Sequence, residues 1–156
     1  MIEIVPAEGW HASAIAAAAR NADVAELWAA GRHTPLDAML AGMRLARAQT
    51  ALLDGEPIAM FGVSPVSLLL GRGVPWMVGS SLLDTMPLRR ALLREAVGVL
   101  RGWQKRYRLL LNFVDERNVS AQRWLRWLGF TLSDEPQPMG ADGVLFRMFF
   151  WRREDV

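Results

Sequence analysis

Asn118 to Phe130, Asn-Val-Ser-Ala-Gln-Arg-Trp-Leu-Arg-Trp-Leu-Gly-Phe, reads as a helix with a defined start and an abrupt stop. Asn118 is suited to accept from the first turn, and Ala121, Trp124, Leu125 and Leu128 recur at helical spacing. Gly129 supplies the left-handed residue that ends such a helix, and Phe130 then enters a strand. The apolar run Arg108 to Val114 leads into it as a buried strand. A strand, helix and strand in this order suit an α/β chain, and the order of the remaining elements decides the class.

The rest of the chain fits that class. Ile2 to Ala7 alternates apolar and polar residues as a short strand does. His11 to Arg20 and Asp23 to Ala30 form an alanine-rich helical region with Asn21 as its junction and Gly31 as its stop. Thr34 before Pro35 marks a capped helix running to about Ala46. Gln49 to Leu53 and Ile58 to Val63 flank the turn Asp54-Gly55, a hairpin signal, and Ser64 to Leu70 either extends the second strand or crosses over. Val74 to Gly79 reads as a buried central strand. Thr85 and Pro87 open the longest helix, which reaches Trp103 or Gln104 with Leu88, Leu92, Ala96, Val99 and Trp103 inward and Arg89, Arg90, Arg94 and Arg101 towards water. Phe130 to Ser133, a turn-rich loop from Asp134 to Gly143, and a strand from Val144 to Trp151 complete a single α/β domain over residues 1–156 with a mixed central sheet.

Composition removes several functions. There is no cysteine, so thiolate metal sites and cysteine nucleophiles are excluded. His11 and His33 have no ligating neighbours at metal spacing, so no metal is expected. A net charge of +2 gives weak attraction for phosphate backbones, which makes nucleic acid an unfavoured partner. The N-terminus lacks the basic start and apolar run of a secretory signal, and the longest uncharged run, Pro57 to Gly71, is too short for a membrane span.

A strand, Asn118-x-x-Ala121, and seven residues to Gly129-Phe130 resemble the last conserved block of the GNAT superfamily of acyl-CoA-dependent N-acyltransferases, and the order of elements is similar over nearly the whole chain. A narrower likeness is to the GNAT-like internal virion proteins of short-tailed bacteriophages. It rests on Trp76-Met77-Val78-Gly79-Ser80 with a non-glycine connection, the basic helix Leu88 to Lys105, and Arg123-Trp124-Leu125 before Gly129.

The resemblance implies an acyl-CoA cleft between the strands Trp76 to Ser80 and Leu109 to Val114. It also implies two groups that this sequence lacks. The family's phosphate loop relies on glycines to bring bare N–H groups to the diphosphate, yet Ser80 to Arg90 holds no glycine and Pro87 removes a donor. The tyrosine that protonates the departing thiolate corresponds to Leu125. If the site works, Val78, Gly79, Ser80, Ser81 and Asn118 contact acetyl-CoA, and Glu116 or Asp115 is the base. The alternative role of that carboxylate pair is simply to favour a helix N-terminus. If the site has decayed, no cofactor is expected, and Leu82, Leu83 and Met86 close the cleft. The chain is then a phage component in the virion or host cytoplasm, meeting other virion or phage proteins through Trp127, Trp151 and Arg123.

Overall fold

In a computed structural model, residues 1–154 are described. They form one mixed sheet with five helices, in chain order β1 Ile2–Pro6, α1 Gly9–Ala17, α2 Asn21–Gly31, α3 Pro35–Leu45, β2 Ala48–Leu53, β3 Glu56–Ser67, β4 Arg72–Gly79, α4 Met86–Arg106, β5 Leu109–Asp115, α5 Val119–Leu128, β6 Thr131–Leu132, β7 Gln137–Met139 and β8 Val144–Arg152. The sheet runs β1-β2-β3-β4-β5-β8-β6, with β7 also on β8. Every pairing is antiparallel except β4 with β5.

Strand alternation divides the core. Met60 and Val78 point to one face, where Ala12, Ile15 and Met39 of α1 and α3 cover them. Ala59 and Phe61 point to the other, where Leu92 of α4 and Trp124 of α5 pack. Gly42 is the point of closest approach of α3, since a Cβ there would strike the Trp76 ring. The hairpin turn is as expected, with Asp54 and Gly55 both at positive φ. Thr34 caps α3 by accepting from the Asp37 N–H at 3.2 Å, and Asn118 caps α5 by accepting from the Ala121 N–H at 3.3 Å.

Some boundaries differ from expectation. The helical junction is Ala18 to Arg20, and Asn21 already begins α2, because the backbone here bonds to the end of β4. Ser64 to Ser67 extends β3, so the segment does not cross over. Thr85 stands at the start of α4 but its hydroxyl donates to the Leu82 carbonyl and does not cap the helix. Arg89 turns inward: its Nε donates to the Leu83 carbonyl at 3.0 Å and its guanidinium lies 5.5 Å from the Trp124 ring centre. No helix among the described residues is long and apolar enough to cross a membrane.

Candidate active site

The cleft arises where β4 and β5 part. Their ladder is limited to Arg72 opposite Leu109 and Gly73 opposite Leu110. Further on, the Asn112 amide bridges the widening gap by donating to the Pro75 carbonyl at 2.8 Å. Since the Ser80 N–H donates to Ile58 on β3 while the Gly79 N–H points away from it, alternation along the strand turns the backbone groups of Met77 into the gap. The resulting cavity of about 250 Å³ is mostly apolar, with Trp76, Met77 and Val78 on one side and Phe113 and Val114 on the other.

Polar groups enter from α2 and α5. Glu26 of α2 accepts from the Asp115 N–H at 2.8 Å and lies 3.4 Å from the Asn118 amide nitrogen. Burial, reinforced by Asp23 and Asp115, outweighs these hydrogen bonds and raises its pKa from 4.5 to about 7. Burial also raises the pKa of Asp23, against the opposing effects of the Gly79 N–H, which it accepts at 2.8 Å, and of Arg20. Trp124 is buried against the cavity, and its Nε1–H has no hydrogen-bond partner among the described residues.

The outer end of β4 is occupied by the chain itself. Arg20 is buried there, with Nε donating to Asp84 at 3.0 Å, Nη2 donating to Ser120 at 3.0 Å, and its guanidinium 5.0 Å from the Trp124 ring centre. The Ser81 N–H donates to the Ala18 carbonyl at 2.7 Å, and the Leu82 N–H to the Ser80 hydroxyl at 3.3 Å. Val78 and Asn118 therefore line the cavity, whereas the N–H groups of Gly79, Ser80 and Ser81 already have protein acceptors. Leu83 belongs to the core, and Leu82 and Met86 are exposed, so these three side chains do not close the cleft.

Asp115 and Glu116 do not line the cavity. Burial pushes the Asp115 carboxyl up, but Arg117, through three contacts from its guanidinium at 2.6, 2.9 and 3.2 Å and one from its backbone N–H, outweighs burial and holds the pKa below the ordinary value. Glu116 forms a two-pronged pair with Arg147, 2.8 Å at each contact, which lowers its pKa. Trp127 and Arg123 are exposed on α5, and Trp151 is half-buried beside the Phe149 cluster. Leu125 lines the cavity, and Tyr107 is packed in the core. His11 is buried and accepts from the Glu8 N–H through Nδ1 at 3.0 Å. No group of three metal-binding side chains occurs among the described residues.

Glu26 is the group that sequence reasoning passed over. Its signal was the spacing Arg20, Asp23, Glu26, a charged stripe at three-residue intervals on an alanine-rich helix that faces the sheet.

The fold as a whole has counterparts among solved structures. Spermidine N-acetyltransferase from Vibrio cholerae, solved with CoA and spermine, superposes with a TM-score of 0.71 at 9% identity, covering 97% of this chain and 95% of that one. The ribosomal-protein-alanine N-acetyltransferase of Brucella melitensis gives 0.70 at 14% identity over 97% and 99%. A GNAT-family acetyltransferase of Streptococcus pneumoniae gives 0.65 at 15% over 97% and 99%. The fold is the GNAT acetyltransferase fold. No protein-family model matches the sequence, and no curated protein is similar to it in sequence. None of these three GNAT structures is a bacteriophage virion protein, so the narrower resemblance gains no support from them.

Proposed function

We propose that the chain is an acyl-CoA-dependent N-acyltransferase in which Glu26 accepts the proton of the amine substrate. The observation that carries this reading is the position of Glu26, with a pKa of about 7, in the gap between β4 and β5. An amine attacks only as the free base, and a carboxylate tuned close to neutral pH combines availability with proton affinity. Asp115 and Glu116, held ionised by arginines, are weaker bases by the same argument.

The cleft fits the thioester end of acyl-CoA. Its walls are apolar, Met77 offers backbone groups to an extended arm, and the unpaired Trp124 Nε1–H is a donor for an amide or thioester oxygen. When bound, acyl-CoA would supply a thioester acyl carbon for the amine nitrogen, and the thiolate released as the C–S bond breaks would take up the proton that Glu26 receives from the amine. Glu26 holds the amine's proton, Asn118 orients Glu26, and Leu125 and Trp124 exclude water from the reacting end.

A second reading is a GNAT-fold binding component, associated with a phage particle and meeting virion proteins. One observation favours it: the N–H groups of Gly79 and Ser81 are taken by Asp23 and Ala18, which leaves no glycine-rich cradle for a diphosphate.

A thermal-shift titration with acetyl-CoA, using desulfo-CoA and buffer as controls, separates the two. The enzyme reading expects a saturable rise of several degrees, since ligand at 100 times its dissociation constant adds about 2.7 kcal/mol. It also expects thiol release that depends on added amine and is lost in Glu26→Gln. No shift up to millimolar acetyl-CoA overturns it in favour of the binding component.

A further inference from the structure

The hairpin joining β3 to β4 ends in a row of uncovered leucines. Leu68, Leu69 and Leu70 are 78%, 95% and 55% exposed, and Val66, displaced at the register shift between Pro65 and Ser67, is 68% exposed. The tip is nonetheless ordered by its own bonds: the Leu70 N–H donates to the Ser67 hydroxyl at 3.1 Å, and the Gly71 N–H to the Leu68 carbonyl at 3.3 Å. A fixed turn that holds leucines in water serves no packing purpose within this domain.

Cations surround it. Arg72 stands opposite Ser67 at the base of the turn. The Gly71 carbonyl accepts from the Arg108 N–H at 2.7 Å, which sets Arg108 against the tip. The Arg108 carbonyl accepts from the Arg153 N–H at 2.9 Å, and Arg153 in turn donates to the Gln104 carbonyl at 2.8 Å, so the end of β8 and the last turn of α4 meet at the same rim. Arg72, Lys105, Arg106, Arg108 and Arg152 are exposed, and none has a carboxylate within ion-pair distance among the described residues. In the sequence of residues 64–74, 98–110 and 150–156, Glu154 and Asp155 are the acidic residues.

We infer that this end of the molecule docks on an anionic lipid bilayer, with Leu68 to Leu70 entering the interface and the arginines meeting lipid phosphates. Apolar insertion and basic attraction reinforce each other at such a surface. Guanidinium groups pair with phosphate oxygens in two-pronged contacts. A second copy of the chain is a poor occupant, because symmetry would set the same cations against one another and a three-leucine turn falls short of the roughly 800 Å² per partner of a stable interface. Single-stranded nucleic acid prefers aromatic platforms, and the tip has none. The cleft opens towards the Gly79 end of β4, on the order of 25 Å from Arg72, so a docked tip leaves its mouth in water.

The test is cosedimentation of the full chain with phosphatidylcholine vesicles and with vesicles that also contain phosphatidylglycerol. The expected result is pelleting on the anionic vesicles alone, weakened by salt, about tenfold weaker in Leu69→Ser and again in the double variant Arg72→Gln, Arg108→Gln. Both variants change exposed side chains, and an unchanged melting temperature verifies their folding. Failure to pellet, equal pelleting on neutral vesicles, or wild-type binding by Leu69→Ser overturns the proposal. So does a dimer in solution that Leu69→Ser dissociates while anionic vesicles are ignored, which would make the tip a contact between copies. A thermal shift with acetyl-CoA bears on the cleft alone and leaves this outcome independent.

Discussion

Two pairs of carboxylates lie near the open end of β5, and their settings are opposite. Asp115 and Glu116 follow the strand directly, and each faces an arginine, Arg117 or Arg147, that holds it ionised. Asp23 and Glu26 sit one turn apart on α2, pressed against the sheet, where burial raises both. Asp23 at least has Arg20 at 3.6 Å, whereas the partners of Glu26 are an amide N–H and an asparagine. Proximity to the expected position in the chain does not make a carboxylate reactive. Its readiness to take a proton depends on what the fold sets opposite it.

The sharpest way to break this contrast is kinetic. Glu26→Gln is expected to lower the rate of amine-dependent thiol release by roughly 10²–10⁴-fold, the usual range for loss of a general base. Glu116→Gln should leave it within a few fold. The wild-type rate should rise with pH to a plateau above about 7, the value set for Glu26. If Glu116→Gln is the variant that loses activity, the assignment of the base to α2 fails.

The next effect is structural. Arg20→Met removes the cation beneath Asp23 and Asp84 and leaves Asp23 buried without it. Breaking a buried ion pair costs about 3 kcal/mol, which in a chain of this size lowers the melting temperature by roughly 6–12 °C. A loss no larger than that of a surface arginine would mean that Asp23 finds another partner, and that the two pairs differ less than their geometry implies.

The same contrast explains what the sequence disclosed. Element order was legible because it rests on local signals: Asp54-Gly55 makes the hairpin, Thr34-Pro35 and Asn118 begin helices, and Gly129 ends one. The cleft was legible in outline through its two strands. Glu26 was not, because its upward shift comes first from burial that α2 acquires only on the sheet, against hydrogen bonds from Asp115 and Asn118, 89 and 92 positions away. Arg89 was assigned to water for a related reason. Helical periodicity gives its face, but not that Leu83 and Trp124 wait on that side.

A smaller effect tests the electrostatics without any substrate. The pKa of Glu26 is higher folded than unfolded, so the folded state binds the extra proton between pH 4.5 and about 7. Its contribution is therefore neutral below pH 4.5 and becomes unfavourable as pH rises to 7. Glu26→Gln keeps an oxygen for the Asp115 N–H and removes the ionisation, so it should raise stability by about 2 kcal/mol at pH 8 and change nothing at pH 4, as urea unfolding would measure. Asp115 runs the other way. Its folded pKa is depressed, so its stabilisation is present above its ordinary value of 3.8 and fades as pH falls below it. Glu116 shares that sign, but its pair with Arg147 is partly solvated, and Glu116→Gln should give the smallest change of all, lowering the melting temperature slightly at neutral pH and not at pH 3. A stabilising Glu116→Gln at pH 8 would place it with Glu26, and the two carboxylate pairs would no longer be distinct.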